Sequence, residues 1–489
     1  KENIREEDTL SRQGGDEFTL LLGNLESSFQ CEQMLERIHY SLAQPYLIDE
    51  KTISISASSG VTLYPNDNAD LDALIRHADQ AMYQAKLIGK NRYQLFNTEH
   101  DQQIIQKHHQ LDDIEQALSG NEFCLFYQPK VNMKTGVVFG AEALIRWIHP
   151  EKGLIPPLKF LPVIEDTELE ILIGDWVINE ALKQLAQWNK SGINIEVSIN
   201  ISSYHLQSSS FCAGLKNALS KYPEVDAEYF QLEILESSAL GDLETIRRII
   251  NNCRKELGVN VALDDFGTGY SSLTHLRSLP VNTIKIDQSF VRDVLDDPSD
   301  FAIIEGVIGL SNSFSRELIA EGVETTDHGV MLLLMGCIRA QGYGIARPMP
   351  ADELPDWLFS YTPNAEWLSV ANKDRSLKET KIKLLRLVTK QWQKSFELNI
   401  LDAPSNNKSW PISNPTKCHL GNWIQRTEQE HIFDSHWIEK LNKAYFELHT
   451  ISVLLLEQYQ QGKIDDKSDG LKTFRTAFEN LTSVLGEWE

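Results

Sequence analysis

Two adjacent carboxylates, Asp264 and Asp265, follow a short apolar run at 259–262 and precede a glycine-rich turn at 266–269. Neighbouring side chains on a strand point to opposite faces, so packing alone does not explain a pair of aspartates at this position. Hard divalent cations prefer carboxylate oxygens, and a glycine-rich loop lets other groups close over the ion. The pattern predicts a divalent-metal site. The alternative interpretation is a capped loop with Asp265 as an N-cap.

The elements around this pair alternate between strand and helix. Short apolar runs that end in a polar group recur over 123–344, and amphipathic stretches at 168–188 and 299–313 predict helices between them. About eight such alternations over roughly 250 residues are typical of a closed α/β barrel, in which the carboxyl ends of the strands meet at one mouth. The polar residues expected to meet there are Glu142, Asn200, Glu233, Asp264, Asp265, Lys285, Glu321 and Gln341.

Residues from about 105 to 360 resemble an EAL domain, the cyclic di-GMP phosphodiesterase family, with Glu142-Ala143-Leu144 as its eponymous motif. We find no departure at a position that this family uses for chemistry. The resemblance implies a TIM-like (β/α)8 barrel that binds two Mg²⁺ or Mn²⁺ ions and hydrolyses cyclic di-GMP to linear pGpG. The alternatives are a catalytically silent cyclic di-GMP receptor and a bifunctional cyclase/phosphodiesterase in the full-length parent.

The resemblance also implies roles for individual residues. The implied metal ligands, with Asp264 shared by two ions, are Glu142, Asn200, Glu233, Asp264, Asp265 and Glu321. The implied catalytic residues are Lys285, which would orient the attacking water, Glu321 and Glu142. The implied substrate-binding residues are Gln128, Leu144, Arg146, Asp287 and Gln341. Glu236 and Thr268 would anchor the loop at 265–272.

The chain begins within a second motif, Gly14-Gly15-Asp16-Glu17, where the glycines predict a tight hairpin turn. An alternating run at 53–62 predicts a strand, and a helix with Leu74 and Ala81 on its apolar face ends at Gly89. Residues 1 to about 97 resemble the C-terminal part of a GGDEF domain, the diguanylate cyclase family.

Arg5 and Asp8 stand where the GGDEF family carries its inhibitory site, and Arg37 is a candidate for the second arginine of that site. Guanidinium groups bind phosphate and guanine edges through paired hydrogen bonds. The alternative interpretation is an exposed charged turn. The family's first strand is expected upstream, so we do not expect this chain to make cyclic di-GMP, although the full-length parent would bind GTP or GDP there.

The C-terminal region is predicted to be helical from about 376, after a linker at 361–364. Apolar residues three and four apart predict a small helical bundle. Its stripes are Trp437, Leu441, Ala444, Leu448, Ile451 and Leu455, then Leu471, Phe474, Phe478, Leu481 and Leu485, with an earlier stripe at Leu385, Val388, Trp392 and Phe396.

The segment Cys418-His419-Leu420-Gly421-Asn422-Trp423 resembles the core of CZB domains, four-helix modules that bind zinc through one Cys and three His. Cys418 and His449 match that pattern, but Tyr445 stands where a His is expected. In the first helix, Thr389 or Gln391 stands near the position of another, and His419 and His436 have the wrong spacing. Two of four ligands do not make a zinc site, so we expect a degenerate CZB-like bundle without zinc.

Length, charge and cysteine content limit the possible number of domains, the partners and the location of the protein. The 489 residues predict three domains, at 1–98, 99–362 and 363–489. Six scattered cysteines fit a reducing cytosol, and a formal net charge of −24 argues against nucleic-acid binding. No apolar run reaches the length of a membrane span. We therefore expect a cytoplasmic homodimer, whose parent could be tethered to a membrane through N-terminal regions absent from this sequence.

Overall fold

The structure is a computed structural model that describes residues 4–5, 7–25, 27–48, 51–87, 89, 91–96, 98–237, 243–268, 273–401, 410–412, 414–415, 417–430, 432–461 and 469–487. The chain forms two compact units, Lys1–Gln116 and Ala117–Glu489. The division into three domains with the boundaries given above stays a prediction. Among the helices of the described ranges, none is long and apolar enough to cross a membrane.

The first unit contains short strands and two helices, followed by a helix that continues into the second unit. These elements are β1 (Thr9–Gly14), β2 (Glu17–Leu21), α1 (Ser28–Leu42), β3 (Tyr46–Ile48), β4 (Lys51–Ile53), β5 (Ser59–Val61), α2 (Leu71–Leu87), β6 (Tyr93–Leu95) and α3 (Thr98–Ser119).

The predicted hairpin is present in this unit, because β1 and β2 pair antiparallel around Gly15, which has a φ of +55°. The prediction of one strand over 53–62 is wrong. Its first residue belongs to β4, which pairs with β3, whereas Ser59–Val61 form β5, which pairs with β6. The alternating run therefore supplies two different sheets. The predicted helix is present as α2, with Ala81 and Ala85 buried.

The second unit begins with a barrel. Its strands are β7 (Phe123–Asn132), β8 (Val137–His149), β9 (Gly153–Ile155), β10 (Glu196–Ile201), β11 (Phe230–Leu235), β12 (Asn260–Phe266), β13 (Thr283–Ile286), β14 (Glu317–Ala320), β15 (Arg339–Ala340) and β16 (Met349–Pro350). Its helices are α4 (Leu161–Ile164), α5 (Glu168–Lys190), α6 (Ser203–Gln207), α7 (Phe211–Ser220), α8 (Leu243–Lys255), α9 (Leu273–Ser278), α10 (Gln288–Asp293), α11 (Pro298–Ser313), α12 (Thr326–Met335) and α13 (Leu354–Ser360).

Eight strands close the barrel, because β7 pairs with β8 on one side and with β15 on the other. The predicted α/β barrel is confirmed, and α5 and α11 cover the two predicted helical stretches. Strand β7 runs antiparallel to both of its neighbours, whereas β8 and β10 to β15 are parallel. The reason is the connection, since a short turn at 133–136 joins β7 to β8 and parallel neighbours require a longer crossover.

Alternation along the strands separates an apolar set of side chains from a polar one. In β11, Leu232 and Ile234 lie on one face, and Gln231 and Glu233 lie on the other. The other strands repeat the pattern, as with Ser198 and Asn200 on the polar face of β10. The apolar set packs under the surrounding helices, so the polar set is left to line the barrel interior and its mouth.

The chain then continues as α14 (Ala365–Asn372), α15 (Leu377–Leu401), α16 (His419–Glu430), α17 (Ser435–Gln460) and α18 (Asp469–Gly486). The predicted stripes form one buried core, centred on side chains such as Phe396, Leu441, Phe474 and Leu481. This bundle packs on the barrel through α12, which contacts both α14 and α15. The Trp367 indole of α14, for example, donates a hydrogen bond of 2.9 Å to the Thr326 carbonyl of α12.

Candidate active site

The structure brings the eight polar residues predicted for the barrel mouth together. Four of them lie within β8, β10, β11 and β13, and others lie at the end of β12 or directly after β14 and β15. Lys285 is at the centre, with its ammonium nitrogen 2.5 Å from Glu233, 2.6 Å from Glu321, 3.1 Å from Asp264 and 3.5 Å from Glu142. The lysine side chain is completely buried, so its charge is neutralised by these carboxylates and not by water.

Asn200 and Gln341 complete the cluster around Glu142. The Asn200 amide donates to one carboxylate oxygen of Glu142 at 2.6 Å, and the Gln341 amide donates to the other at 2.7 Å. Gln341 also donates to the Gln128 side-chain carbonyl at 2.9 Å. Glu142 is therefore held from two sides by neutral amides, while Lys285 approaches it from the barrel interior.

Burial and charge repulsion act strongly on these groups. Burial, with repulsion from neighbouring carboxylates, raises the pKa of Glu233 and of Asp265 to about 7 and that of Glu321 well above its usual value. Burial also acts on Glu142, but the Lys285 charge and the two amide hydrogen bonds hold its pKa below the usual value. Despite burial, the surrounding carboxylates raise the pKa of Lys285 well above its usual value.

The acidic side chains form two groups that share one member. Oxygen atoms of Glu142, Glu233 and Asp264 lie within 4.8 Å of one another, and so do oxygen atoms of Asp264, Asp265 and Glu321. All of these donors are hard carboxylate oxygens, as divalent cations such as Mg²⁺ require. Glu233 Oε1 is buried and accepts no hydrogen bond from any described residue. The donor set therefore fits divalent cations, and Asp264 is the residue that the two groups share.

A β-bulge explains how two adjacent aspartates reach one site. The register between β12 and β13 shifts between Leu263 and Phe266, so two residues of β12 stand opposite one residue of β13. Asp265 has a φ of +53°, in the left-handed region, and its amide donates to Asp264 Oδ1 at 3.0 Å. The bulge breaks the alternation of the strand and turns both carboxylates toward the same cluster.

The loop after β12 is tied to Glu236. The buried Glu236 carboxylate accepts a hydrogen bond of 2.7 Å from the Gly267 amide, and its own amide donates to the Asp264 carbonyl at 3.0 Å. The Thr268 hydroxyl donates to the Asp265 carbonyl at 2.9 Å. These contacts fix the backbone on both sides of Asp265. The remaining loop positions of the prediction, 269–272, lie outside the described residues.

The predicted substrate-binding residues lie around this cluster and differ in their burial and in their contacts. Gln128 and Gln341 are buried beside Glu142, and Arg146 lies over the Phe126 ring with 5.6 Å between the guanidinium carbon and the ring centroid. Leu144 is half-buried on β8. Asp287 caps α10 by accepting from the Ser289 amide at 2.9 Å, and it also accepts from the Ser289 hydroxyl. Its carboxylate is therefore occupied by protein groups.

A second buried lysine, Lys130, lies next to this cluster and was not predicted from the sequence. The Lys130 ammonium is fully buried and lies 2.8 Å from Glu196, 3.1 Å from the Ser198 hydroxyl and 3.9 Å from Glu233. Glu233 thus lies between two lysines. The sequence pattern does indicate that Lys130 and Ser198 belong near the site. Lys130 is two positions from Gln128, and Ser198 is two positions from Asn200. Both therefore face the same side of their strands as predicted site residues.

Other predicted sites lie away from the barrel mouth. Gly14, Gly15, Asp16 and Glu17 form the exposed β1–β2 turn. The Asp8 carboxylate accepts from the Arg5 and Gly23 amides at 2.7 and 3.3 Å, so it is engaged in a local turn, and Arg37 lies on α1. An inhibitory role for Arg5, Asp8 and Arg37 stays a prediction.

In the bundle, Cys418 Sγ lies 2.7 Å from the Tyr445 hydroxyl and 3.7 Å from His449 Nε2. The Tyr445 hydroxyl also donates to the Pro415 carbonyl at 2.6 Å. The Thr389 hydroxyl donates to the carbonyl one turn earlier in its own helix. Tyr445 therefore stands beside the cysteine where a CZB domain would have a histidine, and the CZB-like assignment stays a prediction.

The EAL domain model matches residues 111–348, and the diguanylate cyclase, GGDEF domain model matches residues 1–92. The bifunctional diguanylate cyclase/cyclic di-GMP phosphodiesterase MucR of Pseudomonas aeruginosa is 37% identical over 72% of this chain and 51% of its own length. The cyclic di-GMP phosphodiesterase PdeR of Escherichia coli is 36% identical over 74% and 54%.

The chain thus spans about half the length of these curated relatives. Among solved structures, the EAL enzyme Bd1971 bound to cAMP and cyclic di-GMP is 32% identical with a TM-score of 0.51. The match covers 59% of this chain and 76% of that one. The closed barrel, its acidic mouth and these matches agree, and the chain belongs to the EAL domain family, with a GGDEF domain match preceding its barrel.

Proposed function

We propose that the barrel hydrolyses cyclic di-GMP to linear pGpG with the help of two divalent cations, Mg²⁺ or Mn²⁺. The observation that carries this proposal is the position of Asp264, which belongs to both carboxylate groups at the barrel mouth. The names of the relatives MucR and PdeR, both phosphodiesterases of cyclic di-GMP, support the choice of substrate.

The residues that would hold the cations are Glu142, Asn200, Glu233, Asp264, Asp265 and Glu321. Bound cations would neutralise charge on the phosphodiester anion and would lower the pKa of a coordinated water. The chain's own contribution is to keep six oxygen donors in place. It does so with the bulge at Asp265 and with the amide of Gln341, which fixes Glu142.

In the proposed reaction the water oxygen forms a bond to phosphorus while the bond from phosphorus to the ribose 3′ oxygen breaks. In the net reaction a proton of the water ends on the leaving 3′ oxygen, so the products carry a 5′ phosphate and a free 3′ hydroxyl. Lys285 would orient the water, because an ammonium group is a compact charge with rotatable donors. Glu321 and Glu142 would aim Lys285, since their oxygens lie 2.6 and 3.5 Å from its nitrogen.

The surroundings of the cluster offer groups suited to a cyclic dinucleotide. Arg146 presents a guanidinium beside the site, which suits a phosphate or the edge of a guanine. Gln128 and Gln341 lie beside Glu142, and the buried Gln341 Oε1 has no hydrogen-bond partner among the described residues. A substrate role for Leu144 and Asp287 is proposed on the family resemblance.

The direct test is hydrolysis of labelled cyclic di-GMP by this chain, with the products separated by chromatography. We expect linear pGpG in Mg²⁺ or Mn²⁺ and no turnover with excess chelator. Binding without turnover in either metal would instead identify a silent receptor. A bifunctional parent would require cyclase activity from GTP in the longer protein, which is a separate measurement.

Further features of the proposal concern partners and location. GTP or GDP would bind the GGDEF part in the full-length parent, and we expect a homodimer, which light scattering of the purified chain would test. A cytoplasmic location and the absence of nucleic-acid binding remain expectations from the composition, namely the −24 formal charge and the scattered cysteines.

A further inference from the structure

A cavity of about 290 Å³ lies where the helical region joins the barrel. Its apolar lining comes from Val330 of α12 and from Ile382 and Leu387 of α15, of which Val330 and Ile382 are buried. The segment that connects α14 to α15 forms part of the wall. The cavity is therefore built jointly by the barrel and by the helices that follow it, from residues other than those predicted for the barrel mouth.

The charge of this cavity is opposite to that of the chain as a whole. Five cations line it, namely Lys373, Arg375, Lys383, Arg386 and Lys390. Two carboxylates, Glu366 and Glu379, are the acidic residues of the lining, which leaves a surplus of three positive charges. The chain as a whole has a formal net charge of −24, so a local surplus of positive charge is unexpected from the composition alone.

The two carboxylates, Glu366 near Lys383 and Glu379 near Lys373 and Arg375, offset only part of the positive charge of the lining. Glu379 is engaged in a capping box at the start of α15, where its carboxylate accepts from the Ser376 amide at 2.6 Å and Ser376 Oγ accepts from the Glu379 amide at 3.2 Å. Within the part of the chain that the structure describes, no ion pair joins Lys373, Lys383 or Lys390 to a carboxylate. Three lysines thus line the cavity without an ion pair to any described carboxylate.

Lys383 is the most affected of them. It is half-buried on α15, and burial, followed by repulsion from Arg375 and Lys373, lowers its pKa more than the charge of Glu366 raises it. An exposed charged surface would let such a side chain extend into water at little cost. Here the fold keeps an ammonium group partly desolvated beside like charges, which is unfavourable unless an anion enters.

We propose that this cavity binds a ligand with a di- or triphosphate chain, either free or carried by a nucleotide. The surplus of positive charge matches an anion with several negative charges better than a single carboxylate. Arg375 donates through Nη1 to the Val370 and Lys373 carbonyls, so its guanidinium would pair with phosphate oxygens through the Nε and Nη2 edge. The lysines would act as point charges around it. The apolar lining gives a nucleoside a surface to pack on.

A ligand there would contact both the barrel helix α12 and the helix α15. It would hold the helical region against the barrel, and by mass action it would raise the unfolding temperature of the chain. The barrel mouth without divalent cations does not compete for such a ligand, because its carboxylates repel anions. Binding measured with a chelator present therefore reports on the cavity.

The test is calorimetric titration of the whole chain with sodium pyrophosphate, ATP and inorganic phosphate, in EDTA and at fixed ionic strength. We expect one saturable site for pyrophosphate with Kd below about 1 mM and at least tenfold weaker binding of inorganic phosphate. Equal affinities for ATP and pyrophosphate would identify the chain of phosphates as the recognised group, and tighter ATP binding would show that the nucleoside also contacts the lining.

The variants are Lys383→Gln and Arg375→Gln, with Lys394→Gln as the matched control, because Lys394 is exposed on the same helix and does not line the cavity. We expect at least tenfold weaker binding in the first two and less than a twofold change in the control. Lys383→Gln should also melt no lower than the wild type without ligand, since it removes a repelled charge. No saturable pyrophosphate binding, or equal weakening in all three variants, would overturn the proposal.

Discussion

The Asp265 amide donates a hydrogen bond of 3.0 Å to the Asp264 carboxylate, and this contact accompanies a left-handed φ of +53° at Asp265. On a regular strand the two side chains would point to opposite faces. The bulge lets Asp264 remain beside Lys285 while Asp265 joins the same cluster as Glu321. Local backbone geometry at one residue thus decides whether the barrel mouth holds one group of carboxylates or two.

The loop anchor gives the first prediction. Glu236→Ala removes the acceptor of the Gly267 amide, which holds the backbone after Asp265. We expect kcat for cyclic di-GMP to fall by more than tenfold while the affinity for the ligand changes by less than threefold, because Asp265 loses its position and the substrate contacts remain. Turnover kinetics and equilibrium binding measure the two effects separately.

Glu256→Ala, at an exposed position, is the control for this variant and should leave both quantities unchanged. If affinity and turnover fell together in Glu236→Ala, Glu236 would instead act as a substrate residue or as part of the core.

The second prediction concerns the second buried lysine. Lys130→Met leaves Glu196 without its buried cation and removes one of the two lysines beside Glu233, so we expect the free energy of unfolding to fall by about 3–5 kcal/mol, as for other broken buried pairs. Denaturant titration measures this change. Lys134→Met, at an exposed position after the same strand, should change it by less than about 0.5 kcal/mol. Equal stability of the two variants would show that the Lys130 network does not support the barrel.

The third prediction concerns zinc. With Cys418 and His449 as the matching ligands and Tyr445 beside them, the purified chain should carry well under one zinc per molecule. Each missing ligand removes a large part of the ~10–16 kcal/mol that is typical of a closed structural site. Tyr445→His should raise the zinc content measured by elemental analysis. Stoichiometric zinc in the wild type that is lost in Cys418→Ala would contradict this prediction.

The fourth prediction separates binding from turnover through the choice of metal. Ca²⁺ accepts more ligands in looser geometry than Mg²⁺, so it should support cyclic di-GMP binding at the barrel mouth while turnover falls by at least a hundredfold. Equilibrium binding and product formation are measured in the same buffer with each ion. Similar turnover in Ca²⁺ and Mg²⁺ would mean that the geometry of the cation does not position the attacking water.

Much of the barrel mouth is predictable from the sequence, because apolar runs that end in Glu142, Glu233 and Asp264 specify strands whose polar ends must meet. Lys130 could be found only by extending the same alternation one step down β7. The antiparallel direction of β7 was not evident, since an apolar run carries no sign of direction and only the short connection to β8 fixes it.

Other features depend on tertiary pairing, which local patterns do not encode. The run at 53–62 alternates like one strand but is divided between pairings with β3 and β6. The basic cavity combines Val330 of the barrel with Lys383 of α15, which are far apart in sequence and show no shared motif. Such features require the packing of distant elements to be known.

Asp264→Asn tests the central claim, that one carboxylate shared by two groups of metal ligands is needed for hydrolysis. The substitution keeps the size of the side chain and removes its charge, so we expect kcat for cyclic di-GMP in Mg²⁺ to fall by at least a thousandfold, with the melting temperature little changed. Asp352→Asn, at an exposed position, is the control and should retain full activity. Asp264→Asn that retained more than a tenth of the wild-type kcat would contradict the two-metal account.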